Sequence, residues 1–328
     1  MMAAERITKN SGGAPGARLL DRLPEVRGRY NADVPLGQST WFKVGGTAEV
    51  VFRPHDEADL AQFLVDKPAD VPVTVIGVAS NLLVRDGGIS GVVIRLGREF
   101  TGISIDGDVL IVGAGGLDLN VALSAEEASL TGMEFLSGVP GTIGGALRMN
   151  AGAYGSEMKD IVISAQALDT IGTVHQLTAA ELGFGYRHCS IPESWIFVSA
   201  VLQGRTEARS VIYQRMLDIE NARKETQPVG TPTGGSTFAN PGDRAADGAR
   251  AWELIDRAGC RGLTRGGAMI SELHCNFMIN TGGATAADLE GLGEEVRRRV
   301  KEVTGVTLEW EIRRIGVALE QSQPEAPS

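Results

Sequence analysis

Apolar and polar positions divide the chain into two regimes. The first half reads as short strand-like runs, in which alternate residues share a face. Val71–Ile76 and Gly91–Leu96 predict strands, with the loop Gly77–Asn81 after the first and the Gly87-Gly88 turn before the second. Ile103 to Val112 alternates about an Asp-Gly pair, which predicts a hairpin. Asp118 to Leu130 reads as a helix, and further strands are expected around Ile161–Leu168 and Trp195–Leu202. The glycine-dense stretch from 138 to 155 is expected to hold no regular element.

Past residue 205 the spacing becomes helical, and a domain boundary is expected there. Ser210 to Arg223 is a charged amphipathic helix, followed by turn-rich Gln227–Gly235. Trp252 to Ala258 predicts a short helix stopped by Gly259. Thr285-x-x-Asp288 is a capping box for a longer helix that stripes Leu289, Leu292, Val296 and Val300 on one side. In the strand expected next, Val306, Leu308, Trp310 and Ile312 share a face. Glu309, Glu311 and Arg313 then point the other way, so Glu311 is placed to face a cleft. Frayed ends are expected at 1–18 and 319–328.

Composition narrows the picture. A chain of 328 residues with 43% apolar content supports two or three full cores. A net charge of −10 argues against nucleic acid or an anionic membrane as the main partner, while leaving room for a local arginine cluster facing a small anion. Three cysteines without a C-x-x-C make a disulfide frame or zinc knuckle improbable, and no H-E-x-x-H suggests another metal. The first 18 residues hold no signal-like apolar run, and no later stretch reaches the roughly 20 apolar residues of a membrane span. A cytoplasmic protein acting on a small molecule is the expectation, its oligomeric state left open with a monomer favoured.

Three glycine clusters, Thr40–Gly46, Gly77–Asn81 and Pro140–Ala146, can each converge backbone N–H groups on an anion. Gly77, Ser80, Asn81 and Leu82 form one candidate cofactor contact. Pro140, Gly141, Thr142, Gly144, Gly145 and Ala146 form a second, and Asn150, Gly152 and Ala153 extend it. With no Gly-Lys dipeptide and no G-x-G-x-x-G, the cradle is neither a P-loop nor a Rossmann site. Arg187 in G-Y-R, Ser236 in G-G-S-T-F and Glu311 in L-E-W-E-I supply a cation, a hydroxyl and a carboxylate. On the residues alone, Arg187 reads equally as a domain-bridging ion pair, Ser236 as a turn residue and Glu311 as a solvated strand face. Tyr154, Tyr186, Asn240 and His274 are candidate substrate contacts.

The ordered set T-x-F-x-x-G-G (40–46), G-x-x-S-N-L-L-V-x-D-x-G (77–88), V-P-G-T-I-G-G-A-x-x-M-N-A-G-A-Y-G (139–155), G-Y-R (185–187), G-S-T-F-x-N-P (235–241) and E-x-E-I-R-x-I-G (309–316) closely resembles the UDP-N-acetylenolpyruvoylglucosamine reductase family, over about residues 30 to 317. The resemblance implies an α+β protein. Residues 19–205 would form an FAD-binding fold of the vanillyl-alcohol-oxidase (PCMH) type, in two subdomains split near 97, and 206–318 a smaller α+β substrate-binding domain. It also implies non-covalent FAD, NADPH as reductant and a UDP-sugar enolpyruvyl ether as substrate, in peptidoglycan precursor synthesis. Arg187 would fall on the family's catalytic arginine, Ser236 on its proton donor and Glu311 on its glutamate. The short link after Tyr186 matches the short-loop kind of member. Two positions depart from the family's usual pattern: Ala79 stands where glycine is common, and Ala239 where lysine is common. A flavin oxidase of the same fold and a non-catalytic flavin-binding module are the competing readings.

Overall fold

The computed structural model describes residues 14–319 apart from Ala246. Strands Arg29–Pro35, Thr47–Arg53, Ile89–Ile94 and Val73–Val75 form the first sheet in that spatial order, the first pair antiparallel and the others parallel. Its inner strands are covered on both faces, which is why Val50–Phe52 and Val92–Ile94 read as unbroken apolar runs, while the edge strand Arg29–Pro35 is largely polar. Val50, Phe52, Val92 and Ile94 pack with Leu60, Phe63 and Leu64 of the helix Glu57–Asp66. Ala48, Val51, Ile89 and Val93 pack with Leu36, Ile76 and Val84 on the other side.

The second sheet is antiparallel, in the order Val174–Thr178, Val162–Leu168, Ile196–Gln203, Val109–Gly113, Ile103–Asp106. The last two strands form the expected hairpin, with Gly107 at φ 61° in its turn. The helices Asp118–Glu127 and Ile143–Met149 share the core behind this sheet. The third sheet, in the order Thr233–Ser236, Phe277–Asn280, Ala268–Ile270, Thr264–Arg265, packs with the helices Ala251–Arg257 and Ala286–Thr304. The longer helix carries the Thr285/Asp288 capping box and buries the predicted stripe.

Four expectations are corrected. Helix Arg209–Thr226 seats Ile212 and Met216 in the second core, so the chain changes core after Gln227 rather than near 205. The glycine-dense stretch contains the helix Ile143–Met149, because Gly144 lets its backbone close on Ala114: its N–H donates to the Ala114 carbonyl at 2.8 Å, and a Cβ would stand 3.2 Å from that oxygen. Residues 306–312 are not a regular strand. Their backbone pairing is one antiparallel bridge, Trp310 to Phe238, flanked by the Ala239 amide on the Glu309 carbonyl and the Glu311 amide on the Thr237 carbonyl. Arg297 donates to the Leu308 carbonyl, and regular pairing resumes at Arg313–Ile315. The parity nonetheless holds at Leu308 and Ile312, both buried. At the N-terminus, 14–18 are not frayed: Pro15–Leu20 is a helix anchored by buried Leu19 and by the Gly16 amide on Asp33. Residues 1–13 and 320–328 lie outside the described residues.

The third core also takes in Phe42, Val44 and Leu83 from the first part of the chain. Leu82–Val84 pairs in parallel with Arg313–Ile315, and Asn280 donates to the Phe42 carbonyl. Asp86 accepts from the amides of Ala286 and Ala287, at the start of the long helix. Arg85 forks onto Glu290 with two contacts of 2.9 Å.

Candidate active site

These junctions enclose a cavity of about 1160 Å³. Parallel strands Thr47–Arg53, Val73–Val75 and Ile89–Ile94 all run out at its wall, the carboxyl-end location where open α/β sheets bind ligands. Its lining draws on all three glycine clusters. Every expected cofactor contact lines it except Asn150. Asn150 is wholly buried, and its amide is consumed internally: it donates to Glu157 and the Gly185 carbonyl and accepts from the Lys159 amide. That correction makes Asn150 a brace for the Gly185–Arg187 turn.

Arg187, Ser236 and Glu311 all line the cavity. Arg187 Nε donates to Glu311 Oε1 at 2.6 Å, and Nη2 donates to the Gly152 carbonyl at 3.1 Å. A guanidinium has five N–H donors, so the fork's outer hydrogens stay available for a second carboxylate. Burial opposes the Arg187 charge, but Glu311 more than compensates and its pKa is raised. Burial also pushes the Glu311 carboxyl up, with the Arg187 charge pulling against it. Arg187 sits at φ 52°, in the left-handed region, as do Lys43 at 58° and Ala79 at 56° on the same wall. Such conformations cost of order 1–3 kcal/mol each and cluster at functional sites. Ser236 ends the strand Thr233–Ser236, opposite Phe277, and its hydroxyl makes no hydrogen bond among the described residues.

A second cavity of about 550 Å³ adjoins the first and shares Arg148, Arg187, Glu193, Glu311 and Arg313 with it. Tyr186 and Asn240 line this smaller space, where the Asn240 amide donates to the Tyr186 hydroxyl at 3.4 Å. Two expected substrate contacts lie elsewhere. His274 lines neither cavity; its ring packs edge-on to Phe277 while Nδ1 accepts from the Asn276 amide, and burial lowers its pKa. Tyr154 is half-exposed outside both linings, its ring against Gly138. Sequence reasoning missed the cations Arg53, Arg95, Arg148, Arg223 and Arg313, which give an acidic protein a basic cavity. The signal was present in Arg53 and Arg95, each at the end of a parallel strand.

Similarity to known proteins bears on what this cavity holds. The chain is 61% identical over 302 residues to the UDP-N-acetylenolpyruvoylglucosamine reductase of Rhodospirillum rubrum, covering 92% of this chain and 95% of that protein. It belongs to the UDP-N-acetylenolpyruvoylglucosamine reductase family. The reductase of Parvibaculum lavamentivorans is 57% identical over 98% of this chain and 99% of its own length. The family profile for the C-terminal domain of these reductases matches residues 227–315, and an FAD-binding-domain profile matches 48–178. The crystal structure of the reductase from Thermus caldophilus superposes with a TM-score of 0.75 at 35% identity, over 88% of this chain and 99% of that one. The fold is thus the α+β, vanillyl-alcohol-oxidase type of FAD-binding fold, followed by the reductases' C-terminal domain.

The residues present fit FAD. The cavity has room for a dinucleotide. Bare glycines bring backbone to its surface: a Cβ on Gly77 would stand 2.6 Å from Thr142 Oγ1. Basic side chains offset two phosphates, and a buried carboxyl in the wall has no partner within the protein.

Proposed function

We infer that this chain catalyses the NADPH-dependent, FAD-mediated reduction of the enolpyruvyl ether of UDP-N-acetylglucosamine to the lactyl ether, UDP-N-acetylmuramate, in peptidoglycan precursor synthesis. The observation that carries this reading is the meeting of Arg187, Ser236 and Glu311, from three distant segments, on one FAD-sized cavity in a member of this reductase family. Bound FAD supplies the means of passing a hydride from NADPH to the substrate.

The protein's own residues do the rest. Hydride arrival at the terminal carbon of the enolpyruvyl group sends negative charge onto a group that already bears a carboxylate. Arg187, held from behind by Glu311 and Gly152, presents its outer N–H groups to that carboxylate and gains strength as the charge grows. Ser236 hands its proton to the carbon that bears the ether oxygen and the carboxylate. The resulting Oγ is a poor anion, so it needs a relay through Glu311 or water to recover its proton. Tyr186 and Asn240 reach the nucleotide-sugar portion from the smaller cavity. Among the described residues no His, Cys or Tyr lines the larger cavity, which favours non-covalent FAD over the covalent attachment of many oxidases.

We place the reaction in the cytoplasm, where nucleotide sugars and NADPH are made. No described helix is long and apolar enough to cross a membrane. The test is an absorbance spectrum of the purified protein. A flavin spectrum bleached by NADPH and restored by the enolpyruvyl UDP-sugar is expected; a bleached flavin that this substrate leaves reduced refutes the reading.

A further inference from the structure

Asp118 opens the helix Asp118–Glu127, and its side chain stands in the wall of the larger cavity at 0% exposure. Neither carboxyl oxygen has a hydrogen-bond partner, and among the described residues these are the only buried side-chain polar atoms left so. Asp118 is the first residue of the helix proper, after the N-cap Leu117, and its carboxyl bonds none of the free amides of the first turn. The backbone instead ties Asp118 to the cradle, its amide donating to the Gly141 carbonyl at 3.2 Å. A Cβ on Gly141 would stand 2.6 Å from Asp118 Oδ2 and 3.9 Å from Ser80 Oγ. The carboxyl therefore lies behind a bare Cα, between two of the three glycine clusters.

Burying an unpaired polar group is costly, and such groups in native proteins almost always find a partner. Gly141 and Ser80, which flank this carboxyl, each belong to one of the glycine clusters that line the cavity. Burial pushes its pKa well above the ordinary carboxylate range and so favours the neutral acid, which has one O–H to give. A neutral acid suits an anionic dinucleotide, which an ionised one would repel.

We propose that bound FAD is the missing partner and that Asp118 donates its carboxyl O–H to an oxygen acceptor of the cofactor, past the bare Cα of Gly141. The proposal rests on reading this cavity as the FAD site. Holoenzyme diluted into flavin-free buffer releases FAD, which is read as rising flavin fluorescence. Asp118→Leu should release it at least roughly tenfold faster, while Asp118→Asn, which keeps an N–H donor of similar reach, should stay within about threefold of the parent. Release from the leucine variant at the parental rate overturns the proposal. Parent protein that carries no flavin overturns the reading of the cavity and the proposal with it.

Infrared spectroscopy needs no leucine variant. The parent should show a protonated-carboxyl stretch that Asp118→Asn lacks, and that band should shift when FAD leaves. A band that stays in place on FAD release overturns the proposal.

Discussion

Replacing Arg187 with lysine isolates what a planar guanidinium contributes. In the structure Nε is committed to Glu311 at 2.6 Å and one Nη2 hydrogen to the Gly152 carbonyl at 3.1 Å. Of five N–H donors, the remaining three sit on the two outer nitrogens, where a fork can take both oxygens of a carboxylate. An ammonium has three donors on one atom at the end of a shorter chain. It can hold Glu311 or the substrate, not both in these positions. The backbone strain at φ 52° is the same for either residue, so that contribution cancels. What is lost is a donor that strengthens as charge develops, worth about 3–4 kcal/mol, or a factor of 10² to 10³ in rate. Stopped-flow absorbance separates the two halves of the cycle. Flavin reduction by NADPH and the FAD content should stay near the parent's, while reoxidation by the enolpyruvyl UDP-sugar slows by that factor. Near-parental reoxidation in Arg187→Lys would reassign Arg187 to a structural ion pair with Glu311.

Ser236→Ala should leave flavin reduction intact and slow reoxidation by orders of magnitude, with Ser236→Cys recovering part of the loss; equal slowing of both halves would point to a damaged pocket instead. Glu311→Gln should also act on reoxidation, and combining it with Ser236→Ala should cost less than the sum of the two, which a double-mutant cycle measures. Ala79→Gly relieves a left-handed alanine at φ 56°, a gain of roughly 1 kcal/mol set against a comparable gain in unfolded-chain freedom. Stability should therefore barely move and FAD should bind as well or better; clear weakening in a fluorescence titration would show that the buried methyl packs usefully. For Asp118 the native pKa is raised above the unfolded value near 3.8. Between those two values the unfolded chain binds fewer protons than the native one, so this group makes stability fall as pH rises, by at most about 1.4 kcal/mol per unit. Urea melts of flavin-free protein across acidic to neutral pH should show that slope, and Asp118→Asn should flatten it; identical slopes refute a neutral native Asp118.

Local chemistry made much of the fold legible. An Asp-Gly pair between alternating runs announced the hairpin at 103–113, and Thr285 with Asp288 announced the long helix, because each signal works through neighbours in sequence. Arg187, Ser236 and Glu311 were read from short motifs, and all three line the larger cavity. Long-range features left no such mark. Nothing near Leu82 shows that it pairs with Arg313, and the segment 306–312 buries Leu308 and Ile312 as expected while its backbone pairing shrinks to a single antiparallel bridge, Trp310 to Phe238. Glycine density at 138–155 signalled a cradle but hid a helix, since the same absence of a Cβ that permits turns permits Gly144 to close on Ala114. Asn150 and His274 carried side chains suited to ligand contact, yet the protein uses those groups to bond its own backbone.

The three proposed catalytic residues are not held alike, and that difference assigns them different tasks. Ser236 and Glu311 belong to one pairing: the Glu311 amide donates to the Thr237 carbonyl at 2.9 Å, one residue beyond Ser236. That pairing is fixed to the cofactor half through Asn280 on Phe42, Asn81 on the Glu311 carbonyl, Arg85 on Glu290 and the parallel ladder from 82 to 84. A proton donor profits from such fixity, because proton transfer demands a short, aligned approach. Arg187 instead rides a two-residue turn between Gly185 and His188, in a strained backbone conformation, and its side chain reaches across to Glu311. Its contact with the far half of the site is thus an ion pair rather than a ladder, one that an arriving substrate carboxylate can share without unpicking the fold. The architecture keeps the proposed acid in place against the larger cavity and leaves the proposed cation able to follow the charge.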